Sequence, residues 1–322
     1  MARRERSVLS FVVRLAVAAA ILTLLLRTIP ISEVTAGLAS ANPLYVLAAM
    51  VTVLAGRTID AHRLRILAAA QNIPVSLGLA VRINLVSVFY TLFVPGGTLA
   101  GGASRVYRLT AVAGRPAASL VTVVRDRWDA TFTLALVGLA FLALDGSAGV
   151  PSALFVLLAT LAGALLLYLV IFVPAQSRRT QALPRLPLIG DKLDGFRRAL
   201  RQTAAMPASV QLRAFVTSIV AHFAGVLLYW LLARALGLEL SLLTIGWVRS
   251  AVVLIAMLPV SLGGIGLREG AFLYFLTPCG VGQEQAVAYS FLVFIVAVLF
   301  LGILGGIVEG RFWLSSTRPF AR

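Results

Sequence analysis

The chain has 322 residues, of which 60% are hydrophobic and only 12% charged, with a mean hydropathy of +0.97. A soluble domain is about half apolar and about a quarter charged, so this composition excludes a soluble fold and defines a polytopic membrane protein. The net charge of +16 is carried almost wholly by arginine. With no soluble basic face to hold it, that charge sets nucleic-acid binding aside and follows the positive-inside rule.

Residues 8–29 are long enough to cross a bilayer and too long for a signal-peptide core, so they read as a retained first span. Arg3, Arg4 and Arg6 place the N-terminus in the cytoplasm. The segment 30–43 carries Glu33 and no basic residue, as an outer loop should. Residues 44–67 return and end in a basic cluster that includes Arg57, Asp60, His62, Arg63 and Arg65. Gln71-Asn72-Ile73-Pro74 is a turn. The next apolar stretch contains Arg82 and runs into Pro95-Gly96-Gly97, followed by Arg105, Arg108 and Arg115. Both flanks are basic, so the segment reads as a re-entrant hairpin that enters and leaves on the cytoplasmic side.

Pro116 opens a span over 117–144, and 150–173 comes back. Residues 174–207 form a basic cytoplasmic loop, either a plain topogenic connector or a connector whose second half is an amphipathic helix on the membrane surface. Residues 209–236 cross outward. The run 242–276 is broken by L-P-V-S-L-G-G-I-G-L-R-E-G from Leu258 to Gly270, which no lipid-facing helix should contain. It reads as a second hairpin, entering from outside. Residues 285–309 cross back, and Arg311, Arg318 and Arg322 place the C-terminus inside.

The expected fold is therefore an all-α polytopic membrane protein with about six full transmembrane helices and two re-entrant helical hairpins. It forms a single membrane domain. Residues 1–43 hold the first span and outer loop, and 44–144 the first repeat. Residues 145–208 form the connecting span and basic loop, 209–310 the second repeat, and 311–322 the tail. The block of span, hairpin and span occurs twice with opposite orientation. That is an inverted-topology repeat, in which paired broken helices form a binding site.

The candidate substrate site follows from those breaks: Pro95, Gly96, Gly97, Arg105 and Arg108 from the first, Gly263, Gly264, Arg268 and Glu269 from the second. A helix end and a guanidinium both favour an anionic group, and the arginine fork suits phosphate. The alternatives are that Arg268 and Glu269 pair at the outer interface, and that Arg105 and Arg108 are ordinary positive-inside charge.

A further cluster, Arg125-Asp126-Arg127-Trp128-Asp129, lies roughly 12–18 Å into its span at the α-helical rise. Each charge facing lipid would cost about 2.5–3.5 kcal/mol. Arg125, Asp126, Arg127 and Asp129, with Arg82, are therefore expected to form a buried polar network, structural or functional. His222 reads as a packed, hydrogen-bonded histidine.

No cofactor is called for. The glycine spacing fits neither a dinucleotide fingerprint nor a P-loop. Two histidines and the lone Cys279 make no metal site or catalytic constellation.

Three stretches resemble the lysylphosphatidylglycerol synthase transmembrane-region family across nearly the whole chain. They are His62-Arg63-Leu64-Arg65, Phe93-Val94-Pro95-Gly96-Gly97 leading to Gly101-Gly102-Ala103-Ser104-Arg105, and the Leu258–Gly270 motif. Ser104 departs from the pattern, where an acidic residue would be expected. The resemblance implies translocation of lipid between leaflets at the cell membrane and no synthesis, because in the synthases aminoacyl transfer belongs to a separate soluble domain. The implied substrate is a phospholipid, a glycolipid or a polyprenyl-linked lipid, recognised by an anionic head group or a lipid-linked sugar. The implied protein partner is either a second copy of the chain or a lipid-modifying enzyme. Two other functions stay open: a secondary transporter of a small solute, and a polyprenyl-phosphate-dependent membrane glycosyltransferase. The second is disfavoured by short outer loops that offer few acids, Glu33, Asp145 and Glu239 among them.

Overall fold

The computed structural model describes residues 31–94, 97–146, 151–171, 190–258 and 264–314, and every regular element among them is helical. Helix α1 spans Ile31–Ala39, where a plain outer loop was expected. The segment has no internal proline, its Gly37 packs close to Ala288, and Val34 finds apolar partners in Val287 and Ala288.

Helix α2 spans Pro43–Ala70. Its start is set by Asn42, whose side chain accepts from Leu44 N at 3.0 Å, and by proline in the first turn. It ends at the expected turn, where Asn72 has φ 55°. Next come α3, Leu77–Phe93, and α4, Thr98–Ala113. Helix α5 spans Pro116–Asp145, α6 Pro151–Ile171, α7 Gly190–Ala204 and α8 Ala208–Ala235. Then follow α9, Leu242–Ala256, and α10, Leu267–Leu276. Helix α11, Gln283–Phe294, continues through a π turn at Ile295–Leu299 into α12, Phe300–Leu314.

Five helical runs are long and apolar enough to cross a membrane: Pro43–Ala70, Pro116–Asp145, Pro151–Tyr168, Ala208–Ala235 and Gln283–Arg311. They coincide with five of the six expected full spans. The sixth, residues 8–29, lies outside the described residues. Their outer faces are apolar at helical spacing. On α8 the exposed large apolar side chains are Leu212, Val216, Val220, Phe223 and Leu227, and on α2 they are Leu44, Tyr45, Leu47, Val51 and Leu54. Stripes of this size are a liability in water and suit contact with acyl chains.

The four helices at the two breaks are shorter. Helices α3, α4, α9 and α10 have 17, 16, 15 and 10 residues, and at ~1.5 Å per residue none covers a ~30 Å hydrocarbon core. Each pair doubles back on itself. Ser87 Oγ of α3 donates to Gly101 O of α4 at 3.1 Å. In the second pair Trp247 of α9 meets Phe275 of α10 edge-on at 5.9 Å, and Gly264 lies against Ala256. Gly97, Gly264 and Gly266 have φ of 55°, 79° and 84°, which other L-residues rarely adopt, so glycine is needed where the chain reverses. Pro95, Gly96 and residues 259–263, Gly263 among them, lie outside the described residues.

Small residues bring the helices together. Helix α2 runs against α8, with Ala224 Cβ 3.6 Å from a Cβ built on Gly56. Helix α3 packs on α12, where a Cβ on Gly305 would meet Leu85 O at 2.1 Å. Helix α9 packs on α5, where Gly138 faces Ser250 and Gly246 faces the Phe141 ring. Each hairpin therefore leans on the closing helix of the other half of the chain. Close backbone approach through small residues is how helices gain packing energy in lipid.

Helix α7 docks on protein where its side chains are described. Ala199 is buried, and Phe196 and Leu200 pack on the core formed by Leu64, Ile83 and Val121. Gln202 Nε2 donates to Ala70 O at 2.8 Å, and Gln71 Nε2 donates to Ala199 O at 2.9 Å. The apolar face assigned to the membrane surface is thus covered by the bundle.

Candidate functional site

A cavity of about 360 Å³ opens between the two hairpins. Gly97, Thr98 and Arg105 reach it from the first broken segment, and Leu258, Gly264 and Arg268 from the second. Helices α2, α3, α5, α8 and α9 complete the wall. Ala297 and Val298 of the π turn also line it, at a helical irregularity of the kind that often marks functional sites.

The most constrained part of the wall is Asp126, on the inner face of α5. Its Oδ1 accepts from Arg63 Nε at 2.9 Å and its Oδ2 from Arg105 Nη2 at 2.7 Å. All three residues are buried. Arg63 also reaches Asp60 Oδ1 at 3.1 Å and donates to Ser218 Oγ at 2.9 Å. One carboxylate thus joins α2, α4 and α5, and Arg63 carries the connection on to α8. A buried pair of this kind repays its desolvation only when the remaining donors are occupied, and here many of them are.

Asp129, one turn on, takes Arg125 Nε at 3.1 Å, while the Arg125 guanidinium stacks over Trp128 at 4.8 Å. Trp128 Nε1 donates to Ala164 O at 2.7 Å, which ties this pair to α6. His222 Nε2 lies 2.9 Å from Ala130 O and 3.0 Å from Thr133 Oγ1, the packed and hydrogen-bonded histidine that was expected.

Two members expected in the buried network stand apart from it. Arg82 is exposed, because the buried face of α3 is formed by Ala80, Ile83, Asn84, Val86 and Ser87, and residue 82 points away from it. Arg127 is accessible because it turns into the cavity, and its side chain makes no ion pair or hydrogen bond among the described residues.

The remaining candidates separate by what they touch. Arg105 lines the cavity and binds Asp126. Arg108 does not line it. Its guanidinium engages Glu309 of α12, which also accepts from Tyr90 Oη at 2.9 Å. Arg108 therefore joins the first hairpin to α12. Arg268 and Glu269 are buried rather than set at an exposed interface. They pair with each other, and Ser290 Oγ donates to Glu269 Oε1 at 3.2 Å. Gly266 N donates to Glu269 Oε2 at 2.5 Å, so this carboxylate caps α10. Arg268 also lies over the Phe294 ring at 4.6 Å and presents an edge to the cavity. The N-terminus of α4 has no side-chain cap and adds its partial positive charge at Gly97 and Thr98.

The wall carries six arginines (Arg57, Arg63, Arg105, Arg127, Arg249 and Arg268) against Asp60 and Asp126, an excess of four positive charges. Glu269, just behind Arg268, reduces it by one. Such a lining selects for anions. Sequence reasoning gave Arg63 and Glu309 no site role and passed over Arg249. The available signal was position: Arg249 lies inside the apolar run T-I-G-W-V-R-S-A-V-V-L, and a charge there is costly unless it faces a polar interior.

A multi-pass helical membrane protein with a cationic cavity between two broken helical pairs is the class defined by this architecture. The family model for the lysylphosphatidylglycerol synthase TM region matches residues 11–305, and the chain belongs to that family. No curated protein matches the sequence.

Proposed function

We propose that the chain is a lipid translocase of the cell membrane, moving a phospholipid, glycolipid or polyprenyl-linked lipid between leaflets. The observation that carries this reading is that both broken segments line one cavity with an excess of positive charge. The head group enters beside Gly97 and Arg105, crosses past Arg127, and leaves by Arg268, while the acyl chains stay outside against apolar helix faces. In this reading the two hairpins are re-entrant and related as an inverted repeat, with both termini in the cytoplasm. The reciprocal packing of α3 on α12 and α9 on α5 supports that relation. The protein carries no enzymatic step of its own and acts on membrane lipids, with a second copy or a lipid-modifying enzyme as partner.

The test is reconstitution in liposomes with a fluorescent lipid and a membrane-impermeant quencher. Protein-containing vesicles are expected to expose the inner-leaflet probe faster than empty ones. Equal protection across anionic phospholipids, glycolipids and polyprenyl phosphates rejects the proposal. Uptake of a small solute by the same vesicles would replace it with a solute transporter.

A further inference from the structure

Arg249 sits at the middle of α9 and is part-buried at the cavity wall. Its Nε and Nη1 are buried and make no hydrogen bond among the described residues. The acids on the wall are engaged elsewhere: Asp126 by Arg63 and Arg105, and Asp60 by Arg63 and, at 3.5 Å, Arg57. Arg249 thus has no acidic partner on the wall, and Arg127, which lines the same cavity, makes no ion pair either.

The surroundings hold the guanidinium in place. It lies on the backbone of α8 at Gly225, where a Cβ would come within 2.2 Å of Nη2 and 2.5 Å of Cζ. The Tyr229 ring lies 5.4 Å from Cζ and stabilises a cation through its face. A glycine seat and an aromatic neighbour position the group but satisfy none of its donors. A buried guanidinium left in this state is expensive, and an oxyanion accepting from it removes the expense.

We propose that Arg249 anchors an oxyanion in the cavity, either the phosphodiester of a lipid head group or a free phosphate ion. The assignment rests on the cavity being the translocation path and names the group recognised within it. The unsatisfied Nε and Nη1 offer charge-assisted hydrogen bonds to such an anion, and Arg127 adds a second positive charge to the same cavity wall.

The experiment is thermal unfolding of the full chain in neutral detergent, titrated with phosphatidylglycerol, inorganic phosphate or diacylglycerol. The wild type is expected to be stabilised by phosphatidylglycerol and unmoved by diacylglycerol. A matching shift with inorganic phosphate identifies a free-ion site, and its absence a head-group site. R249Q is expected to melt higher than the wild type without ligand, because an unpartnered charge is gone. Its half-saturating ligand concentration should rise at least about tenfold, in line with loss of a charge-assisted hydrogen bond. R249K should fall between the two.

G225A tests the seat without changing charge. It should fold, since only the end of a flexible side chain has to move, and should weaken binding in the same direction. Wild-type titration curves in both R249Q and G225A, or a wild type that neither anion stabilises, overturn the assignment. Should the liposome assay fail while R249Q still loses anion binding, the translocase reading falls and the anchor stands. Should translocation persist with unchanged binding in R249Q, only the anchor falls.

Discussion

At the scale of single residues, the charges inside this chain do two different kinds of work. Asp126 is structural: its carboxylate is held by Arg63 and Arg105 from two other helices. D126N leaves two buried guanidiniums short of a counter-charge and is expected to cost about 3–5 kcal/mol, read as a lower unfolding temperature in detergent. Unchanged stability in D126N would remove the network from the account of the fold. Arg127 and Arg249 belong to the other kind, facing the cavity with no acid between them.

Cys279, beyond α10, gives a residue-scale test of topology. It is half-buried and donates to Phe275 O at 3.3 Å, and burial, with Asp145 adding to it, pushes its thiol pKa up. Because the thiolate is the reactive form, labelling of whole cells with an impermeant maleimide should be slow at neutral pH and accelerate as the pH rises. Labelling only after the membrane is permeabilised would put this end of α10 in the cytoplasm and reverse the proposed orientation.

At the scale of elements, the hairpins depend on glycine where backbone meets backbone. A Cβ on Gly305 would fall 2.1 Å from Leu85 O, so G305A has to part α12 from α3 and is expected to destabilise by about 1–3 kcal/mol. Gly102, inside α4, has nothing within 4 Å of an added Cβ. G102A should be neutral or stabilise by up to about 1 kcal/mol through helix propensity. Equal effects from the two substitutions, compared by thermal melts, would mean that the α3–α12 contact does not limit stability.

Much of the element level was legible in the sequence. Pro43 and Pro116 open α2 and α5, Asn72 and Gly146 stop the chain after them, and glycine-rich breaks separate α3 from α4 and α9 from α10. These are local signals of backbone geometry and hydropathy. Arg82 shows where such signals end. It lies in the same apolar stretch as Asn84, yet α3 buries Asn84 and exposes Arg82, and only the packing of α3 against its neighbours settles which face turns inward.

At the scale of the whole molecule, the cavity lies where the two halves meet, and α2 against α8 is the central contact. Gly56 and Ala224 face each other there with a Cβ separation of 3.6 Å, within the range that a disulfide spans. A G56C/A224C pair, made with Cys279→Ser, should cross-link on oxidation. If the halves rock against each other during transport, the oxidised protein loses translocation in liposomes and a reductant restores it. Undiminished translocation in the cross-linked state would mean that α2 and α8 do not separate during transport.

The sequence by itself determined the class, the family, five of the long apolar spans and the two glycine-rich places where helices break. Composition, apolar length, proline and glycine act locally, and so they can be read along the chain. It did not determine which charges meet. Arg63 and Asp126 are 63 residues apart, and Arg108 and Glu309 are 201 apart. Such partners are chosen by how α2, α4, α5 and α12 pack. Only the tertiary structure separated arginines that hold helices together from those that face the cavity. An arginine in an apolar run shows that its charge must be satisfied, while the partner that satisfies it, whether protein or ligand, is set in three dimensions.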